Sequence, residues 1–565
     1  MRRRHLLLVS CIALPVTIGA YAQAEAERQF DAAVARLRAE LGPEGAVEWQ
    51  RRSIDPVSGT VRIEGLSVRK GTDRLSIAEA SLSDLRQDRI GRASFSGLRM
   101  EGAPRQGDSH RTTLSAGRIT LDALLLPAGR DGAVNWAAAA VEGAVAEGFR
   151  AEVENRGEAA IGRFTISGYQ PGALREVVME GFRFADNTDG STRMQLGRAR
   201  LAGTVLPRIG QPFDPWGLAA DAVLLEGVEI STEKRGATIH LGRVQIDGWG
   251  EGRLTTLAAE GLGTTGNAPK TGDFTVELGR LGFSGVAARD IAYAHLHDRN
   301  PPLPVPSQDQ DGLLEGLSIS LGGAPLLRIG AVRGRNSWDP AAPDTQIGTA
   351  SLEGLALDLP GEYGGAWLDA LGFKSILGRM ELGTRLIPQD GRMIVDPFTI
   401  EATGMGRLGF TMDMRGIEMP PPGQPSMAKD DPFALMARWS VAGLAIRYTD
   451  EGLLQAMLVQ QATRERVTEQ QLQDRYARMM LRAPVSGSAR GKEPPAIRQI
   501  REALAAFARN LGTIEIAMRP PAPVPLLDLA GLAALPGERT VRELNITVTS
   551  TVPGTGSSGE KPPPL

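Results

Sequence analysis

A chain of 565 residues with 63 basic and 66 acidic side chains, scattered and nearly balanced, offers no block of positive charge for nucleic acid and no polybasic membrane segment. One cysteine and five histidines leave little material for thiol chemistry or metal binding, and disulfides cannot staple the fold. The length suits several globular domains or one extended repeat array, so the order along the chain has to decide between them.

The first element is an export signal. Arg2, Arg3 and Arg4 form a positive start, Leu6 to Ile18 is mostly apolar, and Ala20-Tyr21-Ala22 is a small-x-small cleavage site. The apolar run is short for a bilayer span and contains Pro15, so cleavage after Ala22 is expected; an uncleaved segment would instead anchor the chain to a membrane. Leu8-Val9-Ser10-Cys11 is only a loose acylation box, because apolar residues continue past Cys11. Cleavage would remove the single cysteine and so exclude thiol catalysis in the mature chain.

Phe30, Val34, Leu37 and Leu41 then fall at helical spacing and Gly42-Pro43 stops them, which predicts an amphipathic helix over 24–41, placed to cap the strands after it. From Val47 the apolar period becomes two. One phrase returns: apolar-Gly-Arg-x-x-apolar-x-Gly, at Ile90 (IGRASFSG), Ile161 (IGRFTISG), Leu196 (LGRARLAG), Leu241 (LGRVQIDG) and Leu278 (LGRLGFSG). Worn copies stand at Ala116 to Ala123 (AGRITLDA), Ile347 to Gly354 (IGTASLEG) and Leu377 to Thr384 (LGRMELGT). A second phrase, Glu-Gly-apolar-x-apolar, alternates with it at Glu64, Glu180, Glu226, Glu315 and Glu353. Turn residues such as Glu233 to Gly236 join the two phrases into antiparallel hairpins. In VRIEGLSV the apolar alternation slips by one at Gly65, which predicts a β-bulge or a bend there. One face of each hairpin is apolar (Ile239, Leu241, Val244, Ile246) and the other polar, with the arginine of the first phrase exposed at a wet edge.

Irregular stretches are read at 299–311, 337–345 and 419–432. Beyond the last lie a strand over 439–448, a helix from Leu453, a capping box at Thr468-Glu469-Gln470-Gln471 opening another, and a helix from Ile497 to Leu511. Strands over 513–518 and 541–550 close the segment. The fold class is therefore mainly β: a long antiparallel meander of repeated hairpins, as an elongated sheet, groove or sandwich, with an N-terminal helix and a C-terminal α+β segment. The divisions are 1–22 signal peptide, 23–42 helix, 43–427 β-repeat array, 428–552 C-terminal α+β segment and 553–565 disordered tail.

No phosphate-binding loop, nucleophile elbow or HExxH motif occurs, so no catalytic residue, cofactor or metal ligand is assigned and the chain reads as non-enzymatic. His295 and His297 would point the same way from a strand, but two ligands without a third do not make a zinc site. His240 is read as solvent-facing, and Trp216 and Trp338 as loop anchors.

The phrases IGRFTISG and LGRVQIDG, their Glu-Gly partners and the export segment resemble the AsmA-like and TamB-like envelope proteins of Gram-negative bacteria over about Val47 to Met419. The resemblance implies an elongated β-groove that handles phospholipid or outer-membrane assembly, and it transfers no functional residue. The expected function is a non-enzymatic periplasmic β-repeat protein that binds lipid or another amphipathic ligand or supports envelope assembly, with lipid or an envelope protein as partner. The alternative is a structural adaptor whose β core is filled by its own side chains.

Overall fold

The computed structural model describes residues 22–55, 58–86, 88–102, 110–127, 135–186, 188, 192–206, 215–233, 236–268, 272–300, 309–361, 365–418, 438–482, 494–532 and 537–552. The segment up to Tyr21 that the sequence reads as an export signal, most of the Pro-rich stretches and the 553–565 tail lie outside them. The chain forms two compact units, one up to Lys270 and one from Thr271, which part inside the repeat array.

The first unit opens with helix α1 (Ala22–Leu41) and continues as strands β1 (Gly45–Glu48), β2 (Arg51–Ile54), β3 (Val61–Lys70), β4 (Asp73–Arg86), β5 (Arg89–Gly102), β6 (Thr112–Leu125), β7 (Ala140–Val153), β8 (Gly157–Gln170), β9 (Ala173–Asp186), β10 (Thr192–Val205), β11 (Ala220–Thr232), β12 (Ala237–Gly250) and β13 (Arg253–Ala268). From β3 onward each strand pairs antiparallel with its successor, the meander expected of repeated hairpins. β1 and β2 both pair with β3 and together make one edge broken at Trp49-Gln50. Among the described residues no pairing joins that edge to β13, so the unit is not a closed barrel.

The glycines explain how the strands keep one greasy face. Gly227 has φ +65, open to glycine at little cost. Its neighbour Gly197 is extended, and a Cβ there would lie 3.1 Å from the carbonyl oxygen of Glu226. The bulge expected at such slips is not what forms. Leu196 faces Val228 and Arg198 faces Glu226, so the register runs through the glycine pair without an extra residue. Both strands slip at the same row, which resets the inward face of each while keeping them in step. Ala123, at the last position of a worn copy, holds φ +51 in place of the usual glycine.

Helix α1 covers the apolar face of the first strands. Phe30, Ala33, Val34, Leu37 and Leu41 are buried in one cluster with Val61, Ile63, Leu75, Leu82, Ile90 and Phe95. Arg52 ties the helix down through Glu27 (2.8 Å) and Asp31 (2.5 Å), its guanidinium 5.2 Å from the Phe30 ring. The helix thus caps these strands, as its position predicts.

The second unit comprises β14 (Gly272–Val286), α2 (Ala288–Leu296), β15 (Gln310–Leu321), β16 (Ala324–Asp339), β17 (Ala342–Leu357), α3 (Gly365–Ala370), β18 (Ile376–Ile387), β19 (Arg392–Ala402), β20 (Gly406–Arg415), β21 (Ser440–Asp450), α4 (Leu453–Glu465), α5 (Glu469–Arg482), α6 (Pro495–Asn510), β22 (Thr513–Met518), β23 (Val524–Pro525), α7 (Leu526–Leu532), α8 (Gly537–Leu544) and β24 (Ile546–Thr551). β14 to β21 form an antiparallel meander, and β22 pairs with both β21 and β24. The capping box holds: Thr468 N–H donates to Gln471 Oε1 at 3.0 Å and Gln471 N–H to Thr468 Oγ1 at 3.2 Å. Helix α6 lies against β22 and β24, with Phe507 edge-on to Tyr448 at 6.4 Å.

Three expectations are corrected here. Residues 337–345 are not irregular, since β16 and β17 run through them with a tight turn at Pro340-Ala341. Trp338 therefore sits in a strand, where the register shifts by one. Val541 to Leu544 belongs to α8, so the last strand starts at Ile546. Helix α2 replaces a strand reading, because Ile291, Tyr293 and His295 alternate as a strand would while the backbone bonds His297 N–H to Tyr293 C=O, as in a helix.

Candidate functional site

The register turns the repeated phrases into rows that cross the sheets. In the first unit Leu121, Ala144, Ile166, Val177, Leu201, Val223, Ile246 and Leu257 stand opposite one another in sequence across eight strands. Beside them run Ile119, Ala146, Phe164, Met179, Ala199, Leu225, Val244 and Ala259. Beyond the glycine pairs the apolar face resumes with Leu114, Ala151, Ala159, Phe184, Met194, Ile230 and Ile239. Cover is uneven along these rows. Leu121 lies in the cluster under helix α1, whereas the apolar residues of β8 to β12 are mostly half-buried and Ile239 is 51% exposed.

The second unit repeats the arrangement. Leu281, Leu314, Val332, Leu352, Met380, Ile400, Leu408, Tyr448 and Ile514 make one unbroken row. Its neighbour reads Phe283, Gly312, Gly334, Ala350, Leu382, Phe398, Phe410, Ile446, Ile516 and Val548. Three consecutive strands give it only Gly, Gly and Ala, which leaves a low stretch between the Phe283 ring, 43% exposed, and the Phe398–Phe410 pair at 4.6 Å. A face of this kind can hold a flexible apolar ligand by area, with no directional contact required.

The arginines and glutamates of the two phrases prove to be partners. Arg118, Glu147, Arg163, Glu180, Arg198, Glu226, Arg243 and Glu260 alternate in sign across β6 to β13. Two links of this ladder, Glu147-Gly148 and Glu260-Gly261, are copies of the second phrase beyond the five read from the sequence; EGFRA fits the phrase in full and EGLGT departs from it only at Thr264. The arginines therefore stand inside the sheet and not at its edge; opposite charges across strands contribute a few tenths of a kcal/mol to about 1 kcal/mol each. In the second unit β16 has Ala331 at the ladder position, and Arg333 supplies the charge by reaching Glu315 (3.0 Å) and Glu353 (3.1 Å). Burial pushes the Glu401 carboxyl up, but Arg379 and Arg407 at 2.8 and 2.7 Å outweigh it and hold it below the usual carboxylate range.

An open depression of about 620 Å³ lies on this charged side, lined by Arg333, Arg335, Ser351, Glu381 and Pro397 among others. Its arginines are committed, Arg335 to Asp309 at 2.6 Å, and no nucleophile–base pair faces it. His295 and His297 do not act as a pair: His295 is on α2, and His297 follows the helix with its ring against Tyr293. Among the described residues no group of three or more His, Cys, Asp or Glu is set to hold a metal ion. His240 is exposed, as read, and lies over Gly263. Trp216 does anchor its segment, stacking at 6.1 Å on Trp249. No helix among the described residues is long and apolar enough to cross a membrane.

A family profile described only as "Uncharacterized protein" matches residues 399–551, from the end of β19 to the last strand. No curated protein matches the chain.

Proposed function

We propose that this chain is a non-enzymatic, exported protein of the bacterial envelope that carries lipid or another amphipathic ligand on the apolar face of its β-repeat sheets. One observation carries the reading: apolar rows that pass without a break over eight or more strands while most of their side chains stay half-buried or exposed, the buried exceptions, such as Leu121, Ala259 and Val548, falling near their ends. Soluble proteins seldom leave so continuous an apolar surface without a use for it. Eight strands at ~4.8 Å spacing span about 34 Å, about twice the depth of one leaflet of a bilayer core. An acyl chain laid on such a face recovers about 0.8 kcal/mol per methylene withdrawn from water. The paired charges of the opposite face keep that side wet.

The test is native mass spectrometry of protein purified from periplasm, together with titration of a fluorescent fatty acid. Co-purified lipid and saturable probe binding are expected, and the double variant Phe184→Glu/Ile239→Glu should weaken the probe more than tenfold by putting carboxylates on the row. Absence of both lipid and probe binding would sink the reading. The adaptor reading, with a core filled by the chain's own side chains, draws support from helix α1 over β3 to β6. It predicts a protein that binds no probe at all.

A further inference from the structure

Most arginines of the sheets stand opposite an acid or within ion-pair distance of one, but Arg478, Arg482 and Arg498 on the helices make no such pair among the described residues. Helices α5 and α6 pack on each other, and Arg501 in the second turn of α6 donates from Nη1 to the Leu481 carbonyl at the end of α5, 3.4 Å away. This contact brings the sequence Arg478-Met479-Met480-Leu481-Arg482 beside Arg501, with Arg498 three residues earlier on the same helix. Met479 is 54% exposed and Leu481 37%. Arg478, Arg482 and Arg498 are exposed and make no ion pair among the described residues. Of the four acids on these helices Glu465 pairs with Arg475, Asp474 with Arg509 and Glu469 accepts from Gln455, which leaves Glu502, exposed one turn after Arg498, as the single acid facing this group of arginines. Helices α4 to α6 carry seven arginines against four acids in a chain whose net charge is −3.

We propose that this end of the α5–α6 pair docks on an anionic phospholipid membrane, placing the carrier where lipid is taken up or delivered; the inference rests on the lipid-carrier reading above. The chemistry on the surface selects this partner. Guanidinium groups meet phosphate oxygens through paired N–H donors. Methionine and leucine between them can enter the headgroup–acyl boundary, as basic amphipathic helices do. Nucleic acid would find no aromatic side chain to stack on among these residues.

The experiment is flotation of the full chain with vesicles of phosphatidylglycerol and phosphatidylethanolamine, against vesicles of phosphatidylcholine alone. Binding to the anionic vesicles only, weakening as salt rises, is expected. With about 1 kcal/mol per basic side chain at a charged surface, Arg478→Gln/Arg482→Gln/Arg498→Gln should lower the partition coefficient about a hundredfold. Met479→Ser/Leu481→Ser should lower it while leaving the salt dependence in place. Because the N-terminal segment is the same in all variants, its own membrane affinity cannot produce these differences. Equal binding to both vesicle types, no binding to either, or a triple variant that binds as before would overturn the proposal. Fatty-acid titration separates the two claims: probe binding without vesicle binding sinks the docking surface and spares the carrier reading, and vesicle binding without probe binding does the reverse.

Discussion

Single residues show which positions of the repeated phrase are constrained by backbone and which by charge. Ala123 is the clearest case, because it keeps the left-handed conformation of the glycine it replaces, at φ +51. A residue with a Cβ pays about 1–2 kcal/mol there, and glycine loses about 0.5–1 kcal/mol of that gain through its freer unfolded chain. Ala123→Gly should therefore stabilise the first unit by about 0.5–1 kcal/mol, read as a higher urea midpoint with unchanged slope. Gly227→Ala should move the midpoint the other way, because φ +65 is strained for alanine even though its Cβ would meet Gly197 only at ordinary contact distance. A null effect in both would mean that the reset of the apolar face does not depend on the left-handed residue.

At the scale of elements, helix α1 decides where the first unit has a closed core. Phe30 is 1% exposed and meets Trp49 edge-on at 5.6 Å. Phe30→Ala should cost about 3–5 kcal/mol, concentrated in β1 to β5, and hydrogen exchange of peptides from those strands should quicken while β9 to β12 stay as they were. Equal acceleration throughout the unit would show that the helix is not a local cap. This helix and the strands of the array were legible in advance, since their apolar periods of 3.6 and 2 are local properties of the chain. Helix α2 was not, because Ile291 and Tyr293 are spaced for a strand as well as for a short helix. The charge ladder was hidden for another reason. Arg198 meets Glu180 and Glu226 only once β9, β10 and β11 are in register, and no local pattern carries that information. The arginine group at the end of α5 escaped composition in the same way, being brought together with α6 only by the packing of the two helices.

For the molecule as a whole, the distribution of cover ties stability to function. Within the first unit the buried apolar cluster gathers at β3 to β6 under α1, and within the second a buried cluster forms where β21, β22 and β24 meet the helices and loops of the C-terminal segment. Strands β8 to β12 and β15 to β18 have apolar rows with little fully buried. In a repeat array stability is close to a sum of local terms, so uncovered strands open more readily than covered ones. Hydrogen exchange without ligand should rank β3 to β6 as slow and β8 to β12 and β15 to β18 as faster. On the proposed carrier reading an acyl ligand would supply the missing cover, and linkage would stabilise the states that hold it by about 2.7 kcal/mol at a hundredfold excess over Kd. Adding fatty acid should accordingly slow exchange in β8 to β12 and β15 to β18 by up to about a hundredfold while leaving β3 to β6 unchanged. If the ligand protected only the helical segment, or if the middle strands were already as slow as the capped ones, the apolar rows would be a self-sufficient core and not a carrying surface.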